Sequence, residues 1–319
     1  MKTKQFKTLD EQIEILRHKG LVINDEFYAK EVLLRENYFF LSGYRHLFMS
    51  SREPKKFIEG TTFEELYSLF LFDRQFRNII FKNLLILENN LKSIISYRLS
   101  KKYGYKEHDY LKPKNFDTSP EKSRQVNDLI KKMKRQIHVN GRQHSATVHY
   151  LSNYGYIPLW VLVKVLSFGI VSELYSILRI DDRIAIADIY GVDINTLGTY
   201  LPILSNYRNL CAHEDILFEN KTQKIIGNTI YHSVLNIEKI DGEYKYGKND
   251  LFALIIIMKH LLTDNEIKNM VIEIDHALDN LNYNLYSIPI SKVLDRMGFP
   301  ENWKDIANIE KEWWWCVVK

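Results

Sequence analysis

Phe63-Glu64-Glu65-Leu66-Tyr67-Ser68-Leu69-Phe70-Leu71-Phe72-Asp73-Arg74-Gln75-Phe76-Arg77 opens the stretch whose reading decides the fold. Thr62 and Glu65 stand three residues apart, the spacing of a capping box in which each side chain satisfies a backbone amide at a helix start. From there Leu66, Leu69, Phe70, Phe76, Ile80, Leu84, Leu87, Leu91, Ile94 and Ile95 follow a helical period to about residue 100, with no Pro or Gly between. A helix of that length needs partners along its apolar stripe, so it is a bundle spine or a dimer element. Glu88 and Lys92, four residues apart, read as an ion pair along one face.

On the N-terminal side, Thr8 with Glu11 makes another capping box, and Ile13, Leu16 and a stop at Gly20 describe a short amphipathic helix. A second begins at Asn24 and carries Ala29, Val32 and Leu33. The aromatic-rich run 38–48 follows, with Gly43 read as a bend and the tyrosines as core and turn packing in preference to a base-stacking platform. On the C-terminal side, Gly104, Pro113 and Pro120 interrupt the pattern, so 101–119 is the expected internal boundary. It divides an N-terminal helical region, 1–115, from a second helical region, 116–319, and the two are compatible with one packed body.

Beyond the boundary the spacing predicts a basic helix at 120–137 and a mostly apolar helix at 158–178 with Pro158 as its first residue. A shorter helix at 182–190 stops at Gly191, and Asp193 or Asn195 starts another that tolerates Pro202 near its beginning. Weak alternation at 224–246, with Asp241-Gly242 as a hairpin signal, predicts a small β-ribbon. Helices return at 250–262, 266–281 and 291–297, and Trp313-Trp314-Trp315 is expected to dock on the body or on a second protomer. The fold class is all-α: a helical bundle with an N-terminal helical extension and a small β-hairpin near 224–246.

With 319 residues, 45% of them apolar and 13% aromatic, a packed core is expected and disorder is not. No apolar run is long enough to span a bilayer, and the basic N-terminus lacks the apolar segment of a signal peptide. A cytoplasmic protein without a membrane partner is expected. Cys211 and Cys316 are too few for a thiolate cluster, no spaced Cys/His set occurs, and no cofactor fingerprint or phosphate loop is present, so neither metal nor cofactor is expected. A net charge of +4 is too small to decide between partners; clustering matters more.

The candidate chemistry lies in Ser205-Asn206-Tyr207-Arg208-Asn209-Leu210-Cys211-Ala212-His213. On a helix at about 100° per residue, Ile203, Leu204, Tyr207, Leu210 and Cys211 share one broad arc. Arg208, Asn209, Ala212 and His213 share the other, where Asn209 and His213 are neighbours one turn apart. Arg and His on a polar face are also what any solvated helix carries, and Arg142 with His149 repeats the pattern at a looser spacing.

The run Arg208 to His213 resembles the Arg-x4–6-His signature of HEPN-superfamily ribonucleases. Within that superfamily the chain is similar to the Abi-like (abortive infection) family. The resemblance is carried by Asn37-Tyr38-Phe39-Phe40-Leu41-Ser42-Gly43-Tyr44, by Phe63-Glu64-Glu65-Leu66 leading to Phe72-Asp73-Arg74-Gln75-Phe76-Arg77, by Ile157-Pro158-Leu159-Trp160 and by Leu166-Ser167-Phe168-Gly169. These blocks come in the expected order. Glu214 and Asp215 stand where Abi-like chains commonly carry a second His and an Arg.

The resemblance implies a HEPN-like bundle and a metal-independent endoribonuclease acting in abortive-infection phage defence, with a regulatory small RNA as a plausible partner. The expected catalytic residues are Arg208, Asn209 and His213. RNA needs no metal to be cut, because its 2′-hydroxyl lies beside the phosphate it can attack. Imidazole can relay the protons and guanidinium can hold phosphate oxygens. One imidazole does not easily serve as base and acid in the same step, so a homodimer that pairs two signature helices is expected.

Lys131, Lys132, Lys134 and Arg135 on the basic helix, with Arg142 just beyond, are expected to grip an RNA backbone, although a charge run also reads as a solvated face. The family block adds Arg74 and Arg77 as groups that could line the pocket of Arg208. The alternative readings are a non-catalytic helical RNA-binding protein and a helical adaptor that binds other proteins.

Overall fold

The computed structural model of the chain describes residues 5–52, 55–140 and 143–311. Helix α1 (Leu9–His18) starts with the reciprocal hydrogen bonds of the Thr8–Glu11 capping box, and α2 (Glu26–Glu36) is capped by Asp25. Helix α3 (Tyr38–Gly43) runs into a 3₁₀ turn at Tyr44–Phe48, then into an antiparallel hairpin of β1 (Met49–Arg52) and β2 (Lys55–Phe57), for which the sequence gives no signal. Gly43 is not the expected bend. Its backbone is helical, and a β-carbon there would stand 2.5 Å from Cδ1 of Ile216, so its bare backbone serves a close approach.

Helix α4 (Phe63–Tyr103) is the anticipated spine, 41 residues and roughly 60 Å long, with the Thr62–Glu65 capping box formed at its start. After α5 (Glu107–Tyr110) comes the basic helix, α6 (Pro120–Asn140), and then α7 (Ser145–Tyr154). The expected helix at 158–178 is two: α8 (Leu159–Val165) and α9 (Phe168–Ile177). Leu166 is extended, and the Ser167 hydroxyl accepts the Ile170 amide to start α9, a polar cap hidden inside an apolar run. Pro158 stands just before α8 as its N-cap.

Helix α10 (Ile180–Tyr190) ends at the left-handed Gly191, and α11 (Ile194–Ala212) carries the signature. The short α12 (Ile230–Val234) precedes a ribbon of β3 (Lys239–Ile240) and β4 (Glu243–Tyr244), joined through Asp241 and Gly242, both at positive φ as the hairpin signal requires. The chain continues through α13 (Leu251–Leu261), α14 (Asp264–Tyr283) and α15 (Ile290–Met297). Trp313, Trp314 and Trp315 lie outside the described residues.

The molecule is thus an all-α bundle with two small hairpins. Every residue of α13 is buried, and α4 packs against α8, α10, α11 and α14, so one hydrophobic core runs through the regions before and after residue 115. No helix is long and apolar enough to cross a membrane.

Candidate functional site

Helix α11 is anchored at its start by Asp193, whose carboxylate accepts the amides of Asn195 and Thr196 at 2.8 and 3.1 Å. Its apolar arc is buried against α9 and α4; within it, burial pushes the Cys211 thiol up to about 12. The other arc leaves Asn209 exposed and Arg208 half-buried. The helix stops at His213, whose backbone N–H still donates to the Asn209 carbonyl at 3.0 Å. Glu214 then adopts a left-handed conformation, φ +57°, and the Asp215 amide returns to the Leu210 carbonyl at 3.2 Å. This is a Schellman ending made with a residue other than glycine, which costs about 1–2 kcal/mol of local strain. His213, immediately before the strained residue, is exposed.

The turn 212–216 forms part of the lining of a cleft of ≈ 1030 Å³. Its other walls are the end of α2, helix α3 with the following 3₁₀ turn, and a stripe of α4 carrying Phe70, Arg74 and Arg77. A buried polar network ties these elements together. The Asp73 carboxylate accepts the Tyr44 hydroxyl at 2.7 Å, Arg77 at 2.5 Å, and the amides of Leu217 and Phe218 at 3.0 and 2.7 Å. Arg77 also donates to the Asp215 carbonyl at 3.2 Å. Burial pushes the Asp73 carboxyl above its ordinary range, while Arg77, Tyr44 and the two amides draw it back. Burial likewise raises the Tyr44 phenol.

Arg74 is held at the cleft by a two-pronged contact to Glu36, 3.0 and 2.5 Å, and lies 4.7 Å over the Phe70 ring. The hydrogen bond from Arg74 lowers the Glu36 carboxyl, and the same bond raises Arg74, with a smaller contribution from the charge of Glu214.

The cleft brings together His213, Arg74 and Arg77 of the expected site residues, but not Arg208. Helical spacing puts Arg208 and His213 on one broad arc, about 140° apart, but the expectation that they form one site within the chain is corrected: His213 lines the cleft and Arg208 does not. The Arg208 Nε donates to Glu88 at 3.3 Å, with the guanidinium 5.8 Å from the Phe81 ring, and Glu88 also accepts Lys92 at 2.6 Å. The expected Glu88–Lys92 pair is present, therefore, with Arg208 as its third member. The expectation that Arg74 and Arg77 share a pocket with Arg208 is corrected by this geometry: they share one with His213. Arg77 is only 3% exposed and committed to Asp73 and to the backbone of Asp215, so it does not present its charge to a ligand.

Lys131, Lys132, Lys134 and Arg135 are exposed on α6, which packs against α7, α8 and α9, and none of them lines this cleft. Lys132 is paired with Glu173 at 2.8 Å. Arg142 lies outside the described residues. Sequence reasoning did not single out Asn37, Arg45 and His46, which also line the cleft. Asn37 belongs to the first block that carries the family resemblance, and that block was the available signal. Among the described residues no group of three or more His, Cys, Asp or Glu side chains is arranged to hold a metal ion.

A family model described as Abi-like protein matches residues 31–219, which takes in the cleft-lining part of α2, α3, α4, α11 and the turn after His213. No curated protein and no solved structure is a match to the chain.

Proposed function

This chain belongs to the Abi-like protein family, and we propose that it is a metal-independent endoribonuclease of the HEPN type that acts in abortive-infection defence against phage. The observation that carries the reading is the position of His213: exposed, at the end of α11, on the wall of a large cleft, one turn beyond Asn209.

In the proposed reaction a base takes the proton of a ribose 2′-hydroxyl, and its oxygen attacks the adjacent phosphorus. The bond from phosphorus to the 5′-oxygen breaks, an acid protonates that oxygen, and the products are a 2′,3′-cyclic phosphate and a 5′-hydroxyl. His213 serves as one proton carrier, and the imidazole of a second copy serves as the other in a homodimer that faces two α11 ends across a twofold axis. Within one chain Arg208 is paired with Glu88 and lies outside the His213 cleft, so its guanidinium reaches the phosphorane only where the pairing of two copies brings it there. Asn209 orients the imidazole or holds a phosphate oxygen. The exposed cations of α6 offer backbone contacts to a regulatory small RNA.

The test is RNA cleavage in the presence of EDTA, with end-group analysis of the products. His213→Ala should abolish cutting while changing RNA affinity little, and Arg208→Ala should lower the rate by about a hundredfold or more. Cleavage that survives His213→Ala, or a strictly monomeric enzyme of full activity, overturns the proposal.

The engagement of Arg208 by Glu88 favours a second reading, a helical protein that binds RNA without cutting it. On that reading His213→Ala lowers affinity, and there is no cleavage to lose.

A further inference from the structure

We propose that the corner of α2 and α3 is a single-strand RNA entry groove that feeds the His213 cleft, with Phe39 and Phe40 as its base-stacking platform. This rests on the ribonuclease reading for what happens to the strand, but not for its binding.

Phe39 is 71% and Phe40 57% exposed, with their rings 5.8 Å apart and inclined at 67°. Two adjacent phenylalanines bare to solvent on a short helix are unfavourable unless something covers them. The backbone is strained to present them. Asn37 sits at φ +67°, ψ 130°, a conformation rare for any residue but glycine, and its side chain accepts the Phe39 amide at 2.9 Å to start α3 with both rings outward.

A second cleft, ≈ 800 Å³, lies on the other side of this corner and shares Asn37, Phe39, Ser42 and Arg45 with the His213 cleft. Phe39 lines both clefts, and Phe40 lines the His213 cleft. Among the described residues no aspartate or glutamate lines the second cleft, while Lys7, Lys19, Arg45 and Lys55 do. Lys7 is paired with Glu11. Lys19 donates to the Tyr38 hydroxyl at 3.1 Å and Arg45 to the Ser42 carbonyl at 2.5 Å, neither of which is a carboxylate. Among the described residues no carboxylate pairs with Lys19, Arg45 or Lys55.

A groove of uncompensated cations beside bare aromatic faces is complementary to a strand that has both a phosphate backbone and unpaired bases. A duplex keeps its bases stacked inside and has nothing to offer the rings. A protein partner would leave three cations to be matched by its own acids, and a second copy of this chain would bring the same positive surface to meet them.

The experiment uses the full chain carrying His213→Ala, so that nothing is cut, and a short fluorescein-labelled oligouridine read by anisotropy. Phe39→Leu with Phe40→Leu should weaken binding about tenfold or more while thermal denaturation is unchanged, whereas Phe39→Trp with Phe40→Trp should retain it. Arg45→Ala should lower the slope of log affinity against log salt by about 0.7. A duplex of the same length should bind more weakly than the single strand and be indifferent to the leucine pair.

Unchanged affinity in the leucine variant, equal binding of duplex and single strand, or no RNA binding at all overturns the inference. So does loss of self-association without loss of RNA affinity, which would make the corner an interface between copies. If the rings govern affinity but the unmutated chain cuts no RNA, the ribonuclease reading fails and the groove stands. If the chain cuts RNA and the rings affect neither affinity nor KM, the groove alone fails.

Discussion

Replacing Asp73 by alanine would remove the single acceptor on which Tyr44, Arg77 and the amides of Leu217 and Phe218 converge. Asp73 is wholly buried and Arg77 is 3% exposed, so the variant leaves a guanidinium in the core without its counter-charge. Breaking a buried pair from one side costs about 3–5 kcal/mol, and the orphaned amides add to that only where water cannot reach them. Taking about 4 kcal/mol, and about 2.1 cal/mol/K per residue for the entropy of unfolding a chain of 319 residues, Tm should fall by roughly 6 °C. Denaturation should be run on Asp73→Ala, Arg77→Met and the double variant. Removing the stranded charge as well should recover a large part of the loss, a coupling of about 2 kcal/mol or more. Hydrogen exchange at residues 215–218 should rise in the alanine variant. Single effects that add to within about 0.5 kcal/mol would refute the claim that one carboxylate holds the turn after His213 to α4.

His260 is buried beside Tyr200, and burial lowers it from 6.5 to about 4. The unfolded chain therefore binds the extra proton between those values, and stability falls as pH drops through 6.5 towards 4. At about 1.36 kcal/mol per pH unit the loss reaches roughly 3 kcal/mol, so His260→Gln should gain that much relative to the parent between neutral pH and pH 4 in urea titrations; a constant difference across the range would refute it. Gly43→Ala should cost less than about 1 kcal/mol, because the Ile216 Cδ1 that its β-carbon meets is the far end of a half-buried side chain and the helical backbone favours Ala, and adding Ile216→Val, which removes that atom, should leave no loss in thermal melts. Glu214→Gly should stabilise by roughly 0.5–1 kcal/mol by relieving the left-handed strain. A loss in that variant would mean that the Glu214 carboxylate matters to Arg74 more than the strain does.

Features fixed by neighbours in sequence were legible. The capping boxes at Thr8 and Thr62 close within one turn, and Asp241-Gly242 needs only the positive φ that those residues tolerate. The break between α8 and α9 was not, because Leu166-Ser167 interrupts an apolar run whose periodicity continues on both sides. At the candidate site, the burial of Tyr207 and Cys211 and the exposure of Asn209 and His213 follow from helical spacing. The direction of Arg208 does not, since it depends on Glu88, which is 120 positions away. The exposure of Phe39 and Phe40 was not legible either: Tyr44 of the same aromatic run is buried as its tyrosines were expected to be, whereas these two rings face solvent.

Helix α4 grips α11 at two places. Glu88 takes Arg208 from the side of the helix, and Asp73 with Arg77 takes the chain just after its end, through Asp215, Leu217 and Phe218. Apolar contacts alone would resist separation of the two helices but would oppose rotation of α11 about its own axis only weakly, since such contacts are non-directional. Two polar attachments, one lateral and one terminal, remove that freedom. They also leave the His213 imidazole outside both, with no hydrogen bond to its ring among the described residues. The backbone is fixed while the ring stays free of hydrogen bonds, which is what the proposed role of His213, taking a proton in one step and releasing it in the next, requires.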